Sequence, residues 1–217
     1  MSERGYTRKL FDVLRSPRTT FETVTEKDFK KGLTVVIVIA LLASASRYLY
    51  VQKTPITIPD DIPTGPGGPI DATGLRQMMM NLASITEFIR YLVELMLLAV
   101  LVFTAGKTST GEGSLKRFMA QTGLVYTPLL IQQLLRIVYA ATMSTVAYQG
   151  LSISATQPIL IRIFDTSLEV FSLFGIATFI FMAILVNTDF KLEGKKALIY
   201  TLLAYAILIL LKTFTFL

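Results

Sequence analysis

The sequence predicts an all-α fold, a polytopic transmembrane helix bundle with five spans. Apolar residues make up 53% of the 217 residues, whereas charged residues make up only 17%, against about 25% in soluble domains. The charged residues also cluster between five long apolar runs. Each run is close to the about 20 residues that a helix needs to cross the hydrocarbon core of a bilayer.

The five spans are predicted at about residues 32–51, 81–105, 118–143, 167–186 and 197–217. Together they form one transmembrane domain, residues 32–217, which follows a basic amphipathic leader, residues 1–31. The spans should be helical because irregular backbone leaves polar groups unsatisfied in lipid. Pro128 lies within the third span and predicts a helix kink, because proline removes a backbone hydrogen bond. We expect Gln132, one turn later, to satisfy the freed carbonyl.

The distribution of Lys and Arg orients the spans. Fourteen of these residues lie in the leader and in the connections that follow the second and fourth spans. The other side holds four, which are Lys53, Arg76, Arg162 and Lys212. Basic residues accumulate on the cytoplasmic side of membrane proteins. The sequence therefore predicts a cytoplasmic N-terminus, an outside C-terminus and a multi-pass protein of the cell membrane.

The leader and the first external connection each leave two alternatives. In the leader, Leu10, Phe11, Val13 and Leu14 lie in the membrane interface if residues 6–25 form two short amphipathic helices. The alternative is a solvated leader that only follows the topology rule. In the connection, Asp60, Asp61 and Asp71 are interpreted as part of a solvated loop rather than a cation site, because nothing fixes their geometry.

Composition excludes several classes of chemistry. The chain has no Cys and no His, which excludes thiolate and imidazole metal sites, Cys nucleophiles and His-based acid–base catalysis. The segment KTSTGEGSLKR at 107–117 lacks the residue order of a phosphate-binding loop. We therefore expect no enzyme activity, no cofactor and no metal. The net charge of +6 is explained by topology and lipid headgroups rather than by nucleic acid.

Polar and charged side chains inside the spans form the candidate site. Glu87, Arg90 and Glu94 have the i, i+3, i+7 spacing of one helical face. An isolated charge in mid-membrane costs at least about 2.5–3.5 kcal/mol, so we expect interhelical ion pairs around the bundle axis. The other members of the predicted network are Arg47, Gln132, Gln133, Arg136, Asp165 and Glu169.

Two hypotheses explain this network. In the first, the charges fix which helix packs against which and are structural. In the second, they line a polar cavity that binds a headgroup, an ion or a proton. A water-filled pocket that reaches Glu94 would favour the second hypothesis, and a closed layer of ion pairs would favour the first.

Three segments resemble the Yip1 family in their order and spacing. SPRTTFE at 16–22 is similar to the family's P-R-x-T-F entry before the first span. GEGSLKRFMAQTGLVYTP at 111–128 is similar to its cytoplasmic loop and the span with a Tyr and a Pro. LEGKKALIYTLL at 192–203 is similar to its last loop and final helix.

The resemblance implies five spans, a cytoplasmic N-terminus and no known catalysis. The D-L-x-G-P motif of members linked to Rab-type GTPases is absent, so Rab binding is not carried over. The function predicted is a non-enzymatic membrane protein that acts through contacts with membrane lipids, or with membrane or cytoplasmic protein partners, in membrane organisation or trafficking-like processes. The alternative is a small transporter or permeation subunit that uses the charged network. The oligomeric state stays open.

Overall fold

The computed structural model describes residues 5–53, 72–143 and 159–215, and within these ranges every regular element is helical. This confirms the all-α prediction. The loop with Asp60, Asp61 and Asp71 lies outside the described residues. The helices in chain order are α1 Tyr6–Arg15, α2 Pro17–Glu22, a 3₁₀ turn Glu26–Asp28, α3 Phe29–Lys53, α4 Ala72–Thr110, α5 Leu115–Val125, α6 Thr127–Thr142, α7 Ile159–Val170, α8 Leu173–Asp189 and α9 Gly194–Thr215.

Four helical segments of the described chain are long and apolar enough to cross a membrane. They are Glu26–Lys53, Arg76–Thr110, Leu115–Thr142 and Gly194–Phe214. A fifth crossing is present if α7 and α8, which meet at 77°, form one bent span. The structure therefore has four or five candidate spans by length and composition.

The break between α7 and α8 differs from the continuous helix predicted over 167–186. Ser172 caps α8, and its hydroxyl accepts a hydrogen bond from the Gly175 backbone N–H at 3.3 Å. Gly175 also approaches the Val170 carbonyl so closely that a Cβ there would overlap the oxygen. Ser172, a polar residue within this apolar stretch, supplies the cap at the point where the helix turns.

The helix of the third span is interrupted between α5 and α6, at Tyr126, two residues before Pro128. Pro128 has no N–H to donate to the carbonyl of Leu124, four residues earlier. The Thr127 hydroxyl donates to that carbonyl at 2.7 Å. Thr127, rather than the expected Gln132, therefore satisfies the freed group.

One end of the bundle collects the leader, the connection at 111–114 and the connection at 190–193, and we call it the basic end. Tyr6 Oη donates to the Ala120 carbonyl at 2.5 Å, and Gln121 Nε2 donates to the Phe21 carbonyl at 3.1 Å. Arg117 Nε lies 3.4 Å from Asp189 Oδ1. The leader, these two connections and the helix ends that adjoin them hold fourteen of the basic residues.

Close packing holds the basic end together. A Cβ on Gly32 of α3 would lie 2.7 Å from the Ala120 Cα of α5, so the two helices touch through their backbones. Beside them the rings of Phe103, Phe118 and Phe190 pack with centroids 5.5–5.8 Å apart. All three side chains are buried. The core at this end is therefore built from small residues and aromatic rings.

The leader presents one face to the bundle and another to its surroundings. Tyr6, Lys9 and Val13 of α1 are buried, and Lys9 Nζ reaches the Thr23 carbonyl at 2.9 Å. Phe11 and Leu14 are 70% and 43% exposed. The leader is thus packed against the spans, with an apolar surface left uncovered within the described chain.

Candidate functional site

Seven side chains on α4, α6 and α9 form a polar group inside the bundle, which we call the charged layer. On α4, Arg90 lies 2.6 Å from Glu87 and 3.5 Å from Glu94, measured between guanidinium nitrogens and Oε1 atoms. All three side chains are less than 20% exposed. These two ion pairs lie within one helix, whereas pairs between helices were expected from the sequence. The members are Glu87, Arg90, Tyr91, Glu94, Gln133, Arg136 and Lys212.

Lys212 supplies an ion pair between α9 and α4. Its Nζ lies 3.3 Å from Glu94 Oε1, and the residue is only 7% exposed. The sequence analysis counted Lys212 with the basic residues outside the spans, whereas its side chain is buried in the bundle. Leu210 and Leu211 precede it and Phe214 follows, so Lys212 lies in an apolar stretch of α9, and Glu94 compensates its charge. The apolar residues on both sides were the signal available in the sequence.

Tyr91 links α4 to α6, and this role was not predicted from the sequence. Its hydroxyl accepts hydrogen bonds from Gln133 Nε2 at 2.9 Å and from Arg136 NH1 at 3.3 Å. The Arg90 guanidinium lies 5.2 Å from the centre of the Tyr91 ring, within cation–π range. Arg136 of α6 therefore contacts the phenol of Tyr91, whereas an ion pair with a carboxylate was expected from the sequence.

Arg47 and Gln132 are the remaining predicted residues whose side chains the structure describes. Arg47 of α3 is half-buried and interacts electrostatically with Glu87 and Arg90. Gln132 lines the cavity described below. Asp165 and Glu169 lie on α7, but their side chains are outside the part of the chain that the structure describes.

A cavity opens beside the charged layer. It has room of about 80 Å³, enough for a few water molecules. Glu94, Gln132, Arg136 and Lys212 line it, together with Ser172 and Thr178 at the start of α8. The cavity therefore reaches Glu94, whose carboxylate is in contact with the ammonium group of Lys212.

A second polar contact between spans was also missed. Ser44 of α3 and Ser84 of α4 exchange hydrogen bonds, each hydroxyl donating to the other's carbonyl, at 2.9 and 3.1 Å. Small hydroxylated residues allow helices to approach closely in membranes. Serine is common in any sequence, so only the pairing across two helices reveals this contact.

The functional groups of the charged layer are charged side chains and hydrogen-bonding side chains. Among the described residues, no group of three or more carboxylate side chains is placed to hold a metal ion. The half-buried carboxylates Glu87 and Glu94 each lie beside a cation. Such an arrangement fixes helix contacts and can bind a small polar or charged group.

Comparison with known proteins gives one result. The Yip1 domain family matches residues 11–214, nearly the whole chain. No curated protein matches the chain, and no solved structure does. Because the match covers most of the leader and every candidate span, this chain, a multi-pass membrane protein, belongs to the Yip1 domain family.

Proposed function

We propose that this protein is a non-enzymatic, five-span protein of the cell membrane that acts through lipid or protein contacts in membrane organisation or trafficking-like processes. Its N-terminus is cytoplasmic and its C-terminus is outside. The two domains are the leader, residues 1–31, and the transmembrane domain, residues 32–217. The basic end provides the contact surface, and the charged layer holds the spans in register.

One observation carries this proposal, the exposed face of α1. Arg8, Phe11 and Arg15 have the i, i+3, i+7 spacing of one helical face, and all three are exposed. An apolar ring between two arginines suits a surface that contacts acyl chains and anionic headgroups, or a protein partner with apolar and acidic groups. Tyr6 ties this helix to the second turn of α5, which supports a position at the depth of the membrane interface.

A photo-crosslinking amino acid at Phe11 tests the proposal in cells. We expect covalent adducts with lipid or with a protein partner, identified by mass spectrometry. The matched control carries the same group at Phe214, an exposed ring near the other end of the bundle, and should give a different set of adducts. Identical adducts at both positions, or none at Phe11, would refute a contact surface at the basic end.

Topology is tested separately with reporters at the two termini. We expect the N-terminal reporter inside and the C-terminal reporter outside. Both reporters in one compartment would reject the five-span arrangement.

The cavity at Glu94 favours a second candidate function, permeation of a proton or small ion. Room for a few waters suits such a species better than an organic solute. Proteoliposomes with a pH-sensitive dye inside test it. If the chain conducts, Glu94→Gln should lower the flux while Glu112→Gln, an exposed carboxylate at the basic end, should not. Equal flux with and without the protein rejects permeation.

A further inference from the structure

A groove runs between α4 and α9 on the half of the bundle nearer the basic end. Its volume is about 360 Å³, within the roughly 300–1,000 Å³ of ligand pockets. Its walls are apolar, with Leu101 and Ala105 from α4 and Leu203, Ala204 and Ile207 from α9. Such a groove suits a hydrocarbon chain.

Hydroxyl groups close the groove at the basic end. Thr108, Ser109 and Tyr200 line it there, and Ser109 Oγ lies 3.1 Å from Tyr200 Oη. Ser109 is eight residues beyond Leu101, so the groove is about 12 Å long at 1.5 Å per residue. The groove is therefore apolar along its length and polar only where a headgroup would be.

Exposed cations lie next to the hydroxyl groups. Lys196 is one helical turn before Tyr200 on α9 and so shares the groove's face. Lys195 beside it and Lys107, one residue before Thr108, are also exposed. Because basic residues near a membrane surface attract anionic lipids, the charge at this end complements a phosphate.

We propose that this groove binds an acyl chain of an anionic phospholipid, with the phosphate held by Lys196 and by the hydroxyls of Tyr200 and Ser109. The inference deepens the proposed function, on which it rests, by naming the lipid class and the place of contact. The leaflet is the one at the basic end. A helix of a second copy or of another membrane protein is the competing occupant that the experiment below separates.

The chain contains no tryptophan, which makes a single introduced indole a clean reporter. Leu203→Trp places it in the groove, and Leu202→Trp places it at the neighbouring position outside the groove lining. The two leucines are 54% and 51% exposed. Each variant is reconstituted with acyl-brominated phosphatidylglycerol or acyl-brominated phosphatidylcholine, whose bromines quench nearby indole fluorescence.

We expect the groove reporter to prefer the anionic lipid about fivefold, the factor that corresponds to about 1 kcal/mol. Lys196→Gln and Tyr200→Phe should reduce that preference toward one, whereas the Leu202→Trp reporter should show a ratio near one throughout. Equal quenching of the groove reporter by both lipids overturns the proposal. Quenching of the Leu202→Trp reporter alone also overturns it, in favour of a protein helix in the groove.

A second measurement uses the chain without a reporter. Native mass spectrometry should find phosphatidylglycerol retained by the purified protein, with less retained by the Lys196→Gln variant. Unchanged retention contradicts the role of Lys196. If neither tryptophan reporter is quenched by any lipid, the membrane-contact function fails as well. If Phe11 gives no crosslinked adduct but the groove reporter prefers the anionic lipid, only the contact surface on α1 is rejected.

Discussion

The charged layer joins α4 to α6 and α9, whereas the basic end joins α3 to α5, and the two regions use different forces. In the charged layer, contacts between spans run through long polar side chains, as between Lys212 and Glu94, and a cavity remains beside them. At the basic end, Gly32 of α3 meets the Ala120 backbone of α5 and three phenylalanine rings fill the space. The first region depends on charge compensation, and the second depends on shape.

This difference shows which physical quantity specifies each contact. A buried charge without its partner is strongly penalised in a low-dielectric interior, so the pair dictates which helices meet. Close-packed backbones gain only dispersion energy, so they depend on the absence of a side chain. The charged layer should therefore be sensitive to neutralisation, and the basic end to added volume.

The largest effect is expected in the charged layer. Glu94→Gln removes the counter-charge 3.3 Å from Lys212 and should cost about 3 kcal/mol, as for other broken buried pairs. Adding Lys212→Met should recover much of the loss, because the buried cation is then gone. Unfolding in detergent measures both variants. The control is Glu112→Gln, whose pair with Lys191 spans a similar 3.4 Å but is exposed and should matter by less than about 0.5 kcal/mol.

Adding a single methyl group tests the basic end. Gly32→Ala places a Cβ 2.7 Å from the Ala120 Cα and should destabilise the protein by about 2 kcal/mol, because neither backbone can yield freely. Thermal unfolding of the detergent-solubilised protein provides the measurement. Gly194→Ala is the control, since nothing lies within 4 Å of its Cβ position. Equal stability of the two variants would contradict a packing role for Gly32.

The helix interruption at Tyr126, which lies between the two regions, should be less sensitive to substitution. Thr127→Val leaves the Leu124 carbonyl without its 2.7 Å hydroxyl donor and should cost about 1–2 kcal/mol. Thr34→Val removes a similar 2.8 Å bond to Lys30 on an exposed helix face, where the backbone ladder is uninterrupted. That control should change unfolding by less than about 0.5 kcal/mol. If both variants behave alike, the hydroxyl is not compensating for Pro128.

The smallest effect is expected at the leader. Tyr6→Phe removes the hydrogen bond to the Ala120 carbonyl and should cost about 1 kcal/mol. Limited proteolysis should then release the leader faster from the Tyr6→Phe variant than from the wild type. Tyr139→Phe, at an exposed ring, provides the control and should leave the proteolysis rate unchanged.

Alkaline pH adds a second readout for Tyr6. Burial, with a smaller contribution from Asp28, raises the pKa of Tyr6 above its ordinary value of 10.0. The unfolded chain therefore releases this proton first as the pH rises, so the contribution of Tyr6 is intact below pH 10.0 and declines above it. Between about pH 8 and 11, the stability difference between wild type and Tyr6→Phe should shrink. A difference independent of pH would contradict a buried phenol.

The sequence signals for the triplet on α4 are local. Glu87, Arg90 and Glu94 are rare residue types in an apolar run, and their spacing defines a face. The burial of Lys212 against Glu94 was not predicted, because the length of the last span does not show which way the lysine side chain points. The contacts of Tyr91 and of Ser44 with Ser84 could not be predicted from the sequence, since tyrosine and serine also occur in membrane helices without contacts between helices.

What the sequence determined by itself was the helical class and the membrane character, with long apolar helices as candidate spans. Those properties follow from hydrophobicity and helical period, which are summed over neighbouring residues. Only the tertiary structure decided that Glu94 meets Lys212, that Gly32 meets Ala120 and that the chain bends at Ser172. These outcomes depend on contacts between residues far apart in the chain, and such contacts are set by how whole helix surfaces fit together.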